Sequence, residues 1–195
     1  MAELFFYGEN RMNEKETIIT QAKNPNDYGK ILFCMKAMGG KQNVLFTRYM
    51  HIENTRTGSR IVCTDGKRLH VANVNMRIPA GNYQPEIKDD IIRFNNPSDV
   101  VFPSWKNVVP EDIKFKGFIN LEDIRNGTKS ERDEKFSTAY CSFLFDTGMN
   151  VNLRFLRDLP CTKWKIFTHG GRNQFIKLEN VEDKNQFVVF VPLAA

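Results

Sequence analysis

The usual raw material of a catalytic or metal site is sparse in this sequence. There are three histidines, His51, His70 and His169, scattered along the chain with no His-Glu-x-x-His spacing. The four cysteines, Cys34, Cys63, Cys141 and Cys161, form no Cys-x-x-Cys pair, and three lie in apolar runs. That pattern predicts buried free thiols rather than zinc ligands or a disulfide framework. A phosphate-cradling Gly-x-x-x-x-Gly-Lys-Ser/Thr loop is missing, since Gly39-Gly40-Lys41 follows a helical pattern and reads as a helix stop. No serine or cysteine sits in a nucleophile setting. Asp65, in an Asp-Gly dipeptide, reads as a turn residue rather than a catalytic carboxylate. These absences argue against an enzyme and imply no cofactor and no metal. No basic segment leads into a long apolar run, and no run approaches the roughly 20 apolar residues that span a bilayer. A cytoplasmic protein without a membrane partner is the expectation. Excess charge of one sign is also modest: the formal +5 permits a polyanionic partner without requiring one.

What is present suits a folded α+β protein. The 195 residues are enough for one large or two small domains with a real core. Hydrophobic residues make up 41% and charged residues 26%, as in ordinary globular chains, and the 16 phenylalanines favour a β-rich core.

In chain order, Leu4-Phe5-Phe6-Tyr7 and Thr17-Ile18-Ile19-Thr20 fit two short strands, or a strand and a tail. Asn24-Pro25-Asn26-Asp27 is a turn cluster that can also cap a helix. Tyr28, Ile31, Leu32, Met35 and Met38 then recur at helical spacing up to Gly39-Gly40, with Lys30 and Ala37 on the far face. Val44 to Glu53 reads as a strand, as do Arg60 to Cys63, Leu69 to Val74 and a stretch within Ile87 to Phe94. Asn95 to Pro110 is loop-like, with three prolines and Trp105, which either pins the loop to the core, walls a site, or does both. Lys114 to Leu121 reads as a strand, Asn126 to Lys135 as an exposed polar loop and Tyr140 to Phe145 as a strand. Asn152 caps a short helix carrying Leu153, Leu156 and Leu159. Three strands close the chain, at Lys163 to Thr168, Gln174 to Glu179 and Gln186 to Val191, with a Gly170-Gly171 turn between the first two.

Three stretches are more specific than these patterns. Thr64-Asp65-Gly66-Lys67-Arg68-Leu69 resembles the Thr-Asp-Gly-His-Arg-Leu signature of bacterial sliding clamps, the β subunit of DNA polymerase III. Phe102-Pro103-Ser104-Trp105-Lys106-Asn107-Val108-Val109-Pro110 resembles that family's Phe-Pro-Asp-Tyr-Arg-Arg-Val-Leu-Pro segment. Phe187-Val188-Val189-Phe190-Val191-Pro192-Leu193 is similar to its terminal strand, and Val151 to Leu159 to its Asn-x-x-Tyr-Leu-x-x-x-Leu helix. Lys67 stands where the family usually has His, Asn107 replaces a basic residue and Phe190 a smaller aliphatic one.

The resemblance implies a DNA-clamp-like α+β domain with antiparallel sheets. It would consist of two helix-plus-three-strand half-domains, about 15–94 and 137–195, joined by an insertion over 95–136. In the family, three domains of two halves each pair into a six-domain ring, and this chain is about half that length. The three matched segments build one pocket there, which receives short peptides of polymerases and clamp loaders. Carried over by position, the implied peptide pocket comprises Thr64, Gly66, Lys67, Arg68 and Leu69, then Pro103, Asn107 and Val108, then Val189, Phe190, Val191, Pro192 and Leu193. Arg68 serves either the pocket or a structural ion pair. Helices with basic outer faces line the family's DNA hole, which makes Lys30, Lys36, Arg154 and Arg157 the candidates for non-specific phosphate contacts. The implied partners are double-stranded DNA, a polymerase or clamp-loader-type protein, and further copies of the chain. The alternative is an interaction or regulatory module with the same fold that does not encircle DNA.

Overall fold

A computed structural model describes residues 16–109, 111–125, 128–169 and 175–192. The readings at Leu4–Tyr7, Gly170-Gly171 and Leu193 lie outside the described residues.

Strand β1 (Thr17–Thr20) leads into helix α1 (Pro25–Met35), with Pro25 in the first turn, where a missing N–H costs nothing. Asn24 makes no side-chain cap. The buried Asp27 carboxylate accepts the backbone N–H groups of Asn75 (3.1 Å) and Met76 (2.9 Å) instead, tying the helix start to the sheet. The helix ends at Met35, and the chain closes up at Gly39, whose N–H bonds the Thr47 carbonyl at 2.8 Å. A Cβ at Gly39 would sit 2.3 Å from Thr47 Oγ1, so this close approach requires glycine. Ala37 is fully buried and Lys30 half-buried, so neither lies on the solvent face expected for them.

The stretch Val44–Glu53 is not one strand. Leu45–Arg48 forms a 3₁₀ turn in which Thr47 Oγ1 donates to the Val44 carbonyl at 2.7 Å, and the strand β2 begins only at Met50 (Met50–Asn54). This local side-chain bond outcompetes the β propensity of the segment. Strands β3 (Ser59–Thr64), β4 (Arg68–Val74), β5 (Gly81–Tyr83), β6 (Glu86–Lys88) and β7 (Ile91–Phe94) follow.

Beyond the Asn95–Val109 loop, β8 (Ile113–Asn120) is succeeded by α2 (Lys129–Thr147), α3 (Leu153–Arg157), β9 (Lys163–His169), β10 (Ile176–Asn180) and β11 (Phe187–Phe190). Helix α2 overturns two expectations, the loop reading over its Lys129–Lys135 part and the strand over Tyr140–Phe145; Asn126 and Gly127 lie outside the described residues. Its start is a capping box: Thr128 Oγ1 accepts from the Glu131 N–H at 3.3 Å, and the Glu131 carboxylate accepts from the Thr128 N–H at 2.6 Å. Phe136 and Phe143 are buried and Ala139 and Tyr140 half-buried, a helical stripe that a β reading of Tyr140–Phe145 cannot produce. Cys141 is consequently exposed on this helix and Cys161 half-buried, while Cys34 and Cys63 are buried free thiols.

All strands pair antiparallel. One sheet has the order β1-β7-β6, and the other runs β5-β2-β3-β4-β11-β10-β9-β8, so the early and late parts of the chain join at the β4–β11 pair. The inner face of the large sheet packs on α1, α2 and α3 in a single core containing Ile31, Ile61, Phe143, Trp164 and Phe190. A smaller cluster of Val62, Leu69, Val71, Trp105 and Val189 covers part of the outer face.

His70 lies within that inner core. Its Nδ1–H donates to the Phe33 carbonyl at 2.8 Å, and its ring stacks on Phe33 at 4.5 Å. Burial pushes its pKa down to about 3, with nearby Arg68 adding to the effect against the Phe33 bond. The folded value lies below the unfolded value of about 6.5, so the unfolded chain binds the proton first. Stability is therefore complete above about pH 6.5 and is lost as pH falls toward 3, at about 1.4 kcal/mol per unit. The urea midpoint is expected to drop by the equivalent of about 2 kcal/mol from pH 7 to pH 5. His70→Gln, which still offers an N–H to Phe33, should flatten that drop, and an unchanged drop would contradict this role.

Candidate functional site

The β3–β4 turn is built by its own side chains. Asp65 Oδ1 accepts the N–H groups of Lys67 (2.9 Å) and Arg68 (3.1 Å), and Thr64 Oγ1 donates to the Arg68 carbonyl at 2.7 Å. Gly66 adopts φ +88°, which favours glycine. The Val191 N–H bonds the Lys67 carbonyl at 3.0 Å, so the end of β11 is fastened to this turn.

Alternation along the paired strands then sorts the side chains. Leu69 is opposite Val189, and Val62 and Phe187 are both opposite Val71; all five face outward. Arg68 is opposite Phe190, and His70 opposite Val188, on the inner face. Over the outer face folds the loop 102–109, anchored by Trp105, which is 7% exposed. The Trp105 indole N–H donates to Glu53 Oε1 at 2.9 Å. Arg60 and Lys106 stand 5.7 and 5.6 Å from its ring. Partial burial works to raise the Glu53 pKa, but the indole bond and the nearby Lys106, His51 and Arg60 outweigh it and hold the carboxyl below its ordinary range. Phe102 stacks on His51 at 4.9 Å and meets Phe46 edge-on at 5.7 Å.

The result is an apolar pocket of about 200 Å³. Of the residues named from sequence, Thr64, Gly66, Lys67, Arg68, Leu69, Pro103, Val108, Val189 and Val191 line it. Asn107 instead faces a neighbouring polar recess with Lys106 and Glu111. Phe190 points the other way, fully buried and stacked on Phe155 at 5.7 Å, because it follows Val189 on a strand. Pro192 is half-buried beyond the strand end. Sequence reasoning missed Phe46 and Phe175, which also line the pocket; one belongs to the unforeseen 3₁₀ turn, and neither carries a motif. Trp105 both pins the loop and walls the pocket.

Arg68 borders the pocket but sends its guanidinium inward. It bonds Asp65 at 3.1 Å and Asp158 at 2.7 Å, donates to the Lys36 carbonyl and lies 4.6 Å over the Phe155 ring. Its side chain is 4% exposed. The structural ion pair is thus its main commitment, and it ties the turn to α1 and α3.

The four basic candidates for DNA contact are not equivalent. Lys30 is held by Asp183 at 2.6 Å and by the Asn73 carbonyl at 3.1 Å. Arg157 pairs with Asp133 at 3.3 Å and stacks over Phe136. Lys36 and Arg154 are exposed. No group of three or more metal-ligating side chains occurs among the described residues, and no helix there is long and apolar enough to cross a membrane.

Comparison with solved structures identifies the fold. The DNA polymerase III β subunit of Thermotoga maritima superposes on 92% of this chain with a TM-score of 0.62 at 9% identity. The fold is that of the bacterial sliding clamps. The β subunit of Borrelia burgdorferi, solved with a natural product, gives the same TM-score over 97% of this chain at 10% identity. The Pseudomonas aeruginosa sliding clamp gives 0.58 over 92% at 13% identity. The match takes in 65% of the Thermotoga and Borrelia chains and 67% of the Pseudomonas chain, so this chain spans about two thirds of a clamp subunit or less. No protein-family model and no curated protein matches the sequence. The likeness to the clamps is one of fold, at 9–13% identity.

Proposed function

We propose that this chain is a replication clamp of reduced size: a non-enzymatic processivity factor that tethers a polymerase or loader through a short apolar peptide and encircles double-stranded DNA as a homo-oligomer. It would do so as one clamp-like domain of two half-domains. The observation that carries this reading is the pocket itself. Three segments far apart in sequence, around Thr64–Leu69, Phe102–Val108 and Val189–Val191, meet on one sheet face with apolar walls and an open mouth. Such a concavity suits the apolar anchors of a bound peptide, while the turn's polar rim gives direction. Encirclement would need only weak, salt-dependent phosphate contacts, since closure of a ring prevents escape.

A titration of a Gln-Leu-x-Leu-Phe-type peptide, followed by Trp105 fluorescence, tests the tether. Saturable binding with a change in tryptophan emission supports it, and no binding at millimolar peptide contradicts it. The ion pairs already holding Lys30 and Arg157 favour a second reading, a clamp-fold module that captures replication proteins without encircling DNA. Solution mass separates the two.

A further inference from the structure

Away from the pocket, the outer face of the same sheet carries a second feature that the clamp reading does not use. Strand β8 is bulged: Phe115 pairs with Phe167 and Gly117 with Ile166, leaving Lys116 as the extra residue. Without the bulge, Phe115 and Phe118, three apart, would face opposite sides. With it, both point outward, Phe118 standing opposite Lys165. They are 53% and 43% exposed, with ring centroids 5.2 Å apart, and Phe115 lies 5.8 Å from Phe167. The inward positions of the same strands, Ile119, Trp164 and Ile166, already fill the core, so these rings are surplus to it.

Cations surround the three rings. Lys163 Nζ lies 4.5 Å from the Phe118 centroid and Lys177 Nζ 5.8 Å from that of Phe167. Lys165 shares this face; among the described residues Glu179, opposite Lys165, is paired with Lys177 at 3.1 Å, while Glu131 and Glu134 of α2 share a recess with Phe118. A purely apolar partner or a second copy of this positive face would have to bury Lys163 and Lys165 uncompensated. A phosphate backbone neutralises them, and every base offers a π-face to an exposed ring.

We propose that the β8–β10 end of the outer sheet face binds single-stranded nucleic acid, with bases stacked on Phe115 and Phe118 and phosphates held by Lys163 and Lys165. The strands are roughly 4.8 Å apart, so the platform across β8, β9 and β10 extends about 10 Å, enough for two or three bases. The side chains named are separate from those that line the peptide pocket.

The test is fluorescence anisotropy of a labelled dT dodecamer with the full chain at 50 mM salt, beside an abasic dodecamer of the same length. The thymine strand is expected to bind at least tenfold more tightly than the abasic one. Phe115→Ala with Phe118→Ala should weaken dT binding at least tenfold and erase the preference over abasic strand. Lys163→Gln with Lys165→Gln should weaken both strands and lower the salt slope by about 1.4. The mutated side chains are exposed or half-exposed, and thermal melts check folding; if the phenylalanine variant fails to fold, the lysine variant and the abasic comparison carry the test. Equal affinity for the two strands, no wild-type binding of dT, or a self-association removed by the phenylalanine substitutions without dT binding would each overturn the proposal.

Discussion

Arg68→Ala is expected to destabilise the protein by about 3–5 kcal/mol, the usual cost of removing one partner from a buried ion pair. The substitution strips Asp65 and Asp158 of their common cation, leaves the Lys36 carbonyl without its donor and uncovers Phe155. Both carboxylates are mostly enclosed, 20% and 17% exposed, so water replaces the guanidinium poorly. For a chain of this size the loss corresponds to a fall in Tm of roughly 6–20 °C. Arg68→Lys should recover little, because one ammonium cannot reproduce three directed contacts and the stacking. Lys67→Ala, one residue earlier and exposed, should stay within about 0.5 kcal/mol of wild type. A thermal melt of the three variants decides it; an Arg68→Ala midpoint within 2 °C of wild type would refute the structural role. Any loss of peptide binding in Arg68→Ala must therefore be read as a loss of fold first.

The second large effect concerns binding without folding. Val108 and Val191 line the pocket yet are 44% and 46% exposed, so a charged side chain at either place costs the folded state little. In the occupied pocket the same carboxylates would be buried against apolar peptide anchors, with only the exposed Lys67 at the rim to offset them. Val108→Glu with Val191→Glu is expected to weaken binding of a Gln-Leu-x-Leu-Phe-type peptide by about 100-fold or more, with Tm within a few degrees of wild type. Calorimetric titration reads the affinity. Retained affinity in the folded double variant would remove the pocket from the account. Substituting Asn107, which faces the neighbouring recess, should leave affinity within a factor of two or three.

Much of the fold is legible in the sequence where local chemistry and tertiary context agree. The Asp65-Gly66 turn, the β-rich runs of β3 and β4 and the cap at Asn152, whose side chain accepts the Arg154 N–H at 3.0 Å, need no distant partner to be read. Helix α2 was hidden by its own composition. Its charged first half resembles a loop and its aromatic second half a strand, although Thr128-x-x-Glu131 and the Phe136, Ala139, Tyr140 and Phe143 spacing both announce a helix. The pocket shows a different lesson. A motif match brings along neighbours such as Val189 with Phe190, but a strand cannot aim consecutive side chains into one cavity. Period two separates Leu69, Val189 and Val191 from the inward Phe190, and sends the Arg68 guanidinium inward although Arg68 borders the pocket. Phe46, Phe102 and Phe175 came together only through the loop that Trp105 and Glu53 fasten, and no local pattern encodes that closure.

The proposed function requires the chain to close around DNA and to carry a tether. Light scattering over a range of protein concentrations, with nicked circular DNA and with the same DNA linearised, tests it most directly. A discrete oligomer is expected, most naturally of six copies if each is one domain, retained on the circle and lost from free ends. A monomer at every concentration, bound alike to circular and linear DNA or to neither, would contradict encirclement and leave the clamp fold serving as a peptide-binding module.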